Sequence, residues 1–150
     1  MFRKMEEKDL DTILGIENEV FHGRWNKNHF LYELNENEFA NLYVLEIEDK
    51  IVGYFDLWIT FETAQISTIA VKKDAQSKGY GSILMNEMIS LANKNLCETL
   101  MLEVRVSNTI AIHLYEKYGF IKMNIRKGYY NDNQEDAIVM AKALGGGYCE

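Results

Sequence analysis

Ile69-Ala70-Val71-Lys72-Lys73-Asp74-Ala75-Gln76-Ser77-Lys78-Gly79-Tyr80-Gly81-Ser82 is the stretch at which the pattern of this chain changes. Before it, Leu42 to Ile47, Ile51 to Phe61 and Gln65 to Val71 are rich in aromatic and β-branched residues. They read as three successive antiparallel strands, with Glu48-Asp49-Lys50 as the first hairpin turn. After it, Ile83, Leu84, Met88, Leu91 and Ala92 recur at helical spacing, which predicts a helix from Ser82 to Asn93. Between strand and helix, two glycines permit a tight turn and a close backbone approach to a ligand. The opening turn of the helix offers unpaired N–H groups to an anion, ideally a pyrophosphate. A Walker A loop is excluded, because Gly81 is followed by Ser82-Ile83; a dinucleotide fingerprint is excluded by Leu84 at its third glycine position. Spacing alone leaves open a glycine-bearing turn with no ligand.

Outward from this stretch the elements alternate. Residues 2–5 predict a short strand, and Leu10, Ile13, Leu14, Glu17 and Phe21 form a helical stripe over Asp9 to Phe21. Asn26 suits the N-cap of a second helix carrying Phe30, Leu31 and Leu34 and ending at Asn35-Glu36-Asn37. On the other side, Thr99 to Val104 predicts a strand with Leu100, Leu102 and Val104 facing one way and Met101 and Glu103 the other. Ser107-Asn108 precedes a helix from Thr109 to Tyr118 that carries Ala111, Leu114, Tyr115 and Tyr118 on one face, and Gly119 suits its C′ position. Phe120 to Arg126 and Ala137 to Leu144 predict two last strands joined by the loop from Tyr130 to Asp136. The order β-α-α-β-β-β-α-β-α-β-β is mixed α/β with helices on both sheet faces, one domain over residues 1–144. Gly145-Gly146-Gly147 predicts a flexible tail over 145–150.

Composition narrows the classes of function. A chain of 150 residues with 47% hydrophobic and 26% charged residues has the make-up of a soluble globular protein. It contains no 18-residue apolar run, and no signal-peptide core follows Met1. Sixteen basic residues against 23 acidic ones give a net charge of −7. That charge argues against nucleic acid and anionic membrane as partners and favours a small molecule or a basic protein, although solubility alone is an equal explanation. Cys97 and Cys149 suggest neither a disulfide framework nor a zinc site, so a reducing cytoplasm is expected. His22, His29 and His113 share no ligand spacing, so no metal is expected.

Two side chains stand out as chemistry-bearing. Glu103 lies inside an apolar strand, where a carboxylate needs a partner, water or a raised pKa; a raised pKa would suit a general base. An ion pair with Arg105 or with a neighbouring strand explains the same residue without catalysis. Tyr115 falls on the apolar face of its helix, as a core tyrosine or with its hydroxyl reaching a site.

These residues carry a family resemblance. Gln76-x-x-Gly79-x-Gly81 after Ile69-Ala70-Val71 resembles the acetyl-CoA signature of the GNAT acetyltransferases. Asn108 with Ala111 and Leu114-Tyr115-Glu116-Lys117-Tyr118-Gly119-Phe120 resembles a later motif of that superfamily, whose tyrosine points at the thioester. Leu102-Glu103-Val104-Arg105, Arg126-Lys127-Gly128-Tyr129-Tyr130 and Glu135-Asp136-Ala137-Ile138-Val139-Met140 are similar to its RimI-type ribosomal-protein alanine N-acetyltransferases. The resemblance covers nearly the whole chain and is strongest from Ile69 to Leu144. At His22-Gly23-Arg24-Trp25-Asn26 the family usually has a proline-tryptophan-serine/threonine run, of which only Trp25 is kept.

The resemblance implies a GNAT fold: a mixed, mostly antiparallel seven-stranded sheet, splayed between its fourth and fifth strands, with helices on both faces. It implies that acetyl-CoA enters the splay, with Ile69, Ala70 and Val71 along the pantetheine arm. Gln76, Ser77, Lys78, Gly79, Tyr80, Gly81 and Ser82 would surround the pyrophosphate, and Asn108 would also contact the cofactor. Glu103 is then the general base and Tyr115 the general acid of direct transfer in a ternary complex, and Trp25, Tyr129 and Tyr130 shape the acceptor site. The implied acceptor is the basic N-terminus of a ribosomal protein, the N-terminal alanine of small-subunit protein S18. Another protein N-terminus, a lysine, a polyamine or an antibiotic is the alternative, and a CoA-binding module without catalysis is a third reading. Glu17, Glu19, Glu33, Glu36 and Glu38, crowded into the first two helices, suggest an acidic approach to the amine site.

Overall fold

Glu48 and Asp49 both adopt positive φ, 53° and 63°, and close a two-residue turn in which Ile47 pairs with Lys50. Such turns match the right-handed twist of the strands they join. In the computed structural model, which describes residues 1–145, this hairpin joins β2 (Ala40–Ile47) to β3 (Lys50–Thr60). Before it come β1 (Phe2–Lys4), α1 (Leu10–Phe21) and α2 (Lys27–Asn35). After it come β4 (Thr63–Val71), α3 (Tyr80–Lys94), β5 (Thr99–Arg105), α4 (Thr109–Lys117), β6 (Ile121–Arg126) and β7 (Ala137–Ala143). The element order is the expected one, and Asn26 and Asn108 do cap α2 and α4, accepting from His29 N and Ala111 N. The larger boundary shifts are four: β2 and β4 each begin two residues early, at Ala40 and Thr63, Phe61 turns at φ 53° rather than ending a strand, and α3 begins two residues early, so Gly81 lies inside its first turn. The tail predicted over 145–150 lies, beyond Gly145, outside the described residues, as does Cys149.

The seven strands form one sheet in the order β1-β2-β3-β4-β5-β7-β6, antiparallel except where β4 meets β5. That parallel pairing runs only from Thr63↔Thr99 to Ile66↔Leu102. Beyond it β4 stays with β3 as far as Val71, while β5 stays with β7 as far as Arg105. The sheet therefore forks after Ile66 and Leu102, as the resemblance implied.

Two bulges set what faces the fork. The β3–β4 register passes from Leu57↔Ile66 to Asp56↔Thr68, which makes Ser67 an extra residue. The β6–β7 register passes from Lys122↔Met140 to Asn124↔Val139, which makes Met123 another. An extra residue exchanges the two faces for everything beyond it. Thr68 and Arg126 thereby reach the same face as Glu103.

The two faces carry separate cores. Under α3 and α4, Phe55, Leu57, Leu84, Met85, Met88, Leu100, Leu102 and Met140 are buried. Under α1 and α2, Leu10, Ile13, Ile16, Phe30, Val44 and Tyr54 are buried. A polar contact anchors α2 in the second core: Glu33 accepts from Trp58 Nε1 at 2.6 Å and from Asn37 Nδ2 at 3.0 Å. Asp56 lies beside it, fully buried, with no hydrogen bond of ordinary geometry to either carboxyl oxygen. Burial, with Glu33 second, raises the Asp56 pKa to about 9. A proton kept on Asp56 avoids burying a second charged carboxylate beside Glu33.

Candidate active site

Glu103 is the first residue of β5 past the fork. Its side chain is partly buried among Gln65, Met101, Leu102, Arg126 and Val139, which line a small cavity with it. The partner that permits a carboxylate there is not Arg105. It is Arg126, two strands away, whose Nε pairs with Glu103 Oε2, while Tyr129 Oη donates to Oε1 at 2.8 Å. Arg105 turns instead to the β6–β7 loop, bonding Asp132 at 2.9 Å and Glu135 at 3.2 Å.

Tyr115 approaches from the opposite face. Phe120 N donates to Tyr115 O and Gly119 N to Glu116 O, both at 3.0 Å, with Gly119 at φ 93°. This is a Schellman ending, and its usual apolar contact is the Tyr115–Phe120 ring pair at 5.8 Å. The cap predicted at Gly119 thus fixes the direction of Tyr115. The residue is 7% exposed, and burial, followed by nearby Tyr130, pushes its phenol up to about 12. At neutral pH it is a hydrogen-bond donor.

The loop between β4 and α3 fits an anion. Ser77 and Gly79 adopt positive φ, 65° and 86°, and α3 starts directly after Gly79. Among the described residues the amides of Ser77 to Gly79 donate no backbone hydrogen bond, and those of Tyr80 to Ser82 are the first of a helix, where no intrahelical acceptor exists. A Cβ on Gly81 would meet only Leu114 Cδ2, at 3.7 Å, so the space beside it is open. Gln76 contributes differently: its Nε2 donates to Val71 O at 3.0 Å and ties the loop to the strand end. Ile69, Ala70 and Val71 lie on the part of β4 that has left β5, so one edge of their backbone faces the fork. Asn108 spends its Oδ1 on the α4 cap at 3.2 Å, which leaves its amide nitrogen for a ligand. These features offer unpaired amides to an anion and a free strand edge to an extended ligand.

The other face of the fork is walled by the β6–β7 loop and by the segment between α1 and α2. Tyr129 and Tyr130 meet edge to face at 5.1 Å, and the Arg105 guanidinium lies 4.0 Å over the Tyr130 ring. The Tyr129 pKa is raised, first by its bond to Glu103; that of Tyr130 is raised by burial. Trp25 stacks on His29 at 3.9 Å and meets Phe30 edge-on at 5.1 Å, which secures the segment to the second core. Arg24, absent from the expected set, also reaches this wall: its Nη2 donates to Thr68 Oγ1.

The acidic approach does not form as expected. Glu17 and Glu33 are buried, 0% and 3% exposed, and serve internal partners rather than an incoming amine. Glu17 accepts from Tyr54 Oη at 2.6 Å and from Trp25 N at 3.0 Å. Glu19 accepts from Lys73 N, at the start of the short turn after β4. Charge counted along a helix overlooked the phase of the helix: Glu17 falls on the buried stripe of α1.

The acetyltransferase (GNAT) family model matches residues 10–120. A Bacillus subtilis protein provisionally named a [ribosomal protein bS18]-alanine N-acetyltransferase is 39% identical over 138 residues, 92% of this chain and 91% of the relative. The Escherichia coli K12 [ribosomal protein bS18]-alanine N-acetyltransferase is 34% identical over 139 residues, 91% of this chain and 93% of the relative. The crystal structure of the Escherichia coli ribosomal-protein-S18-alanine N-acetyltransferase superposes with a TM-score of 0.88 at 31% identity, covering 100% of this chain and 98% of that one.

Proposed function

This chain belongs to the GNAT acetyltransferase family and is an acetyl-CoA-dependent N-acetyltransferase, and we propose that its acceptor is the α-amine of the N-terminal alanine of ribosomal protein bS18. One arrangement supports the chemistry: Glu103 stands just past the fork on one face of the sheet, and Tyr115 belongs to the core on the opposite face. An amine reaching the fork from one side and a thioester from the other would meet between a base and a donor.

Acetyl-CoA supplies an activated acyl group. The residues of this chain do the rest. The amides of Ser77 to Ser82 bind the pyrophosphate, and the free edge of Ile69 to Val71 holds the arm. Glu103 takes a proton from the amine, directly or through a water, as the N–C bond forms and the C–S bond breaks. Tyr115 donates to the departing sulfur. With its phenol at about 12 against roughly 8.5 for an ordinary thiol, it acts first as a hydrogen-bond donor that stabilises charge on sulfur. Neither cysteine lies in a matched motif, so transfer is direct within a ternary complex. An α-amine, with a pKa of about 7.7–8.0, is partly neutral at pH 7, whereas a lysine at about 10.4 is almost wholly charged. One carboxylate base is therefore better matched to an α-amine.

The test is an acceptor panel: an alanine-starting bS18 peptide, the same peptide with its α-amine blocked and only lysines free, and a set of polyamines. Acetylation confined to the free α-amine supports the reading. Equal rates on blocked and free peptides, or turnover with polyamines alone, overturn the acceptor and leave the acetyltransferase standing.

A further inference from the structure

We infer that Gln65 is a positioning residue for the transfer: its side-chain amide seats the water through which Glu103 takes the proton of the amine. The inference rests on Glu103 as the base and deepens that reading. Gln65 and Met101 are the last pair but one joining β4 to β5, and Ile66 and Leu102 are the last. Glu103 follows Met101 by two residues and so lies on the same face. Gln65 and Glu103 are thus diagonal neighbours across the apex of the fork, the first on its paired side and the second on its open side.

One cavity joins the two residues. Its volume is about 40 Å³, and Gln65, Met101, Leu102, Glu103, Arg126 and Val139 line it. A single water needs roughly 10–15 Å³ of such space and about two to four polar partners. The cavity meets both conditions. Gln65, Glu103 and Arg126 bring an amide, a carboxylate and a guanidinium from three strands, while Met101 and Val139 supply apolar wall. With strands about 4.8 Å apart and a rise of about 3.3 Å per residue, the two backbones stand roughly 8 Å apart on the diagonal. Two extended side chains and one water bridge that span.

Of these polar groups, Gln65 is the one not yet committed. Glu103 accepts from Tyr129 Oη at 2.8 Å and pairs with Arg126 Nε. Gln76 spends its amide on Val71 O, whereas the Gln65 side chain makes no hydrogen bond among the described residues. Each carboxylate oxygen has a second acceptor position, so Glu103 can still accept from a water. That water donates one hydrogen to Glu103 and the other to Gln65 Oε1, which leaves its oxygen free to accept from the amine. As the N–C bond forms, the amine nitrogen gives its proton to the water, the water gives one of its own to Glu103, and the C–S electron pair leaves on sulfur. An amide accepts a hydrogen bond without titrating near neutral pH, so Gln65 orients the water and does not compete with Glu103 for the proton.

The experiment compares wild type, Gln65→Met, Glu103→Gln and the double variant on the best acceptor of the panel above. Rates are expressed per acetyl-CoA-binding site counted by calorimetry, so an unfolded fraction does not distort them. Gln65→Met keeps the length of the side chain and removes both of its polar atoms. It should lower kcat about 10–100-fold and leave the KM for acetyl-CoA within about twofold of wild type. In the Glu103→Gln background the same change should cost less than about twofold, because the water then has no base to pass a proton to. A high-resolution crystal structure of the wild type should show a water within about 3.2 Å of both Gln65 Oε1 and a Glu103 carboxylate oxygen. Wild-type kcat in Gln65→Met, equal losses in the two backgrounds, or a crystal structure without that water overturns the inference. Wild-type turnover in Glu103→Gln would instead remove the base on which the inference stands.

Discussion

Tyr129 Oη donates to Glu103 Oε1 at 2.8 Å, from a loop that the chain reaches only after two further elements. With Arg126 on Oε2, both carboxylate oxygens of the proposed base are engaged. The two contacts fix the plane and the position of the carboxylate at the fork. An incoming amine, or the water that relays its proton, must share or displace one of them. Tyr129 is thus both a wall of the proposed acceptor site and a support for the proposed base.

Replacing the base separates these roles from packing. Glu103→Gln keeps the shape of the side chain and its ability to accept from Tyr129, but removes its basicity and its charge toward Arg126. We expect kcat to fall by roughly 10²–10⁴ with acetyl-CoA affinity nearly unchanged. Steady-state kinetics and calorimetry check this; wild-type turnover from pH 6 to 9 would remove Glu103 from the mechanism.

Tyr115→Phe deletes one hydroxyl from a buried ring. The Schellman cap and the Phe120 contact need only the backbone and the ring, so the fold should persist. Loss of one transition-state donor should lower kcat by about 10²–10³. Because burial raises the phenol to about 12, it stays protonated across the working range. The wild-type profile should therefore rise toward pH 8 as the α-amine deprotonates, then stay flat to pH 10, and the variant should keep that shape. An alkaline fall between pH 8.5 and 10 that only the wild type shows would mean that Tyr115 titrates there.

Most of the fold was legible because its signals are local. The Glu48-Asp49 turn, the caps at Asn26, Asn108 and Gly119, and the alternation around Glu103 depend on residues within a few positions of one another. The identity of the Glu103 partner was not legible. Arg126 belongs to a stretch whose resemblance was noticed, but without the Met123 bulge the alternation along β6 would turn Arg126 to the far face. Ser67 conceals Thr68, and with it Arg24, in the same way. A one-residue insertion leaves no mark in composition or periodicity, yet it decides which side chains share a site. Glu17 was legible: its place in the Leu10-Ile13-Leu14 stripe marks it for burial.

The proposed pyrophosphate loop can be tested without disturbing the helix behind it. Gly81 lies in the first turn of α3, with room for a Cβ, so Gly81→Asp introduces no internal clash. A carboxylate in the first turn also complements the helix dipole, and replacing glycine favours the helix. The melting temperature should hold or rise. Beside a pyrophosphate the same carboxylate repels, so acetyl-CoA affinity should fall at least about tenfold. Unchanged affinity with a native melt would mean that the anion binds elsewhere.

The last prediction concerns the carboxyl pair under α2, and its sign follows from the two shifts. Asp56 is raised to about 9 from an ordinary value near 3.9, chiefly by burial and then by Glu33. Between those values the unfolded chain has released the proton that the folded chain keeps, so folding takes up a proton and stability falls as pH rises from about 4 to 9. Glu33 is lowered overall, because its bonds with Asp56, Asn37 and Trp58 outweigh the cost of its burial. Its contribution has the opposite sign: it is present above the ordinary glutamate value and is lost only as pH falls through the lower folded value. The alkaline slope therefore belongs to Asp56. Asp56→Asn is nearly isosteric, carries no proton to take up, and can donate its amide N–H to Glu33. The variant should melt several degrees above the wild type at pH 8.5, where about 1 kcal/mol corresponds to roughly 2–4 °C for a chain of this size. Near pH 5 the advantage should vanish or reverse, because the wild-type proton is then nearly free and the asparagine oxygen lacks a donor. Thermal melts at pH 5, 7 and 8.5 read the difference directly. Parallel pH slopes for the two proteins would mean that the pair holds no proton and that Asp56 is satisfied in some other way.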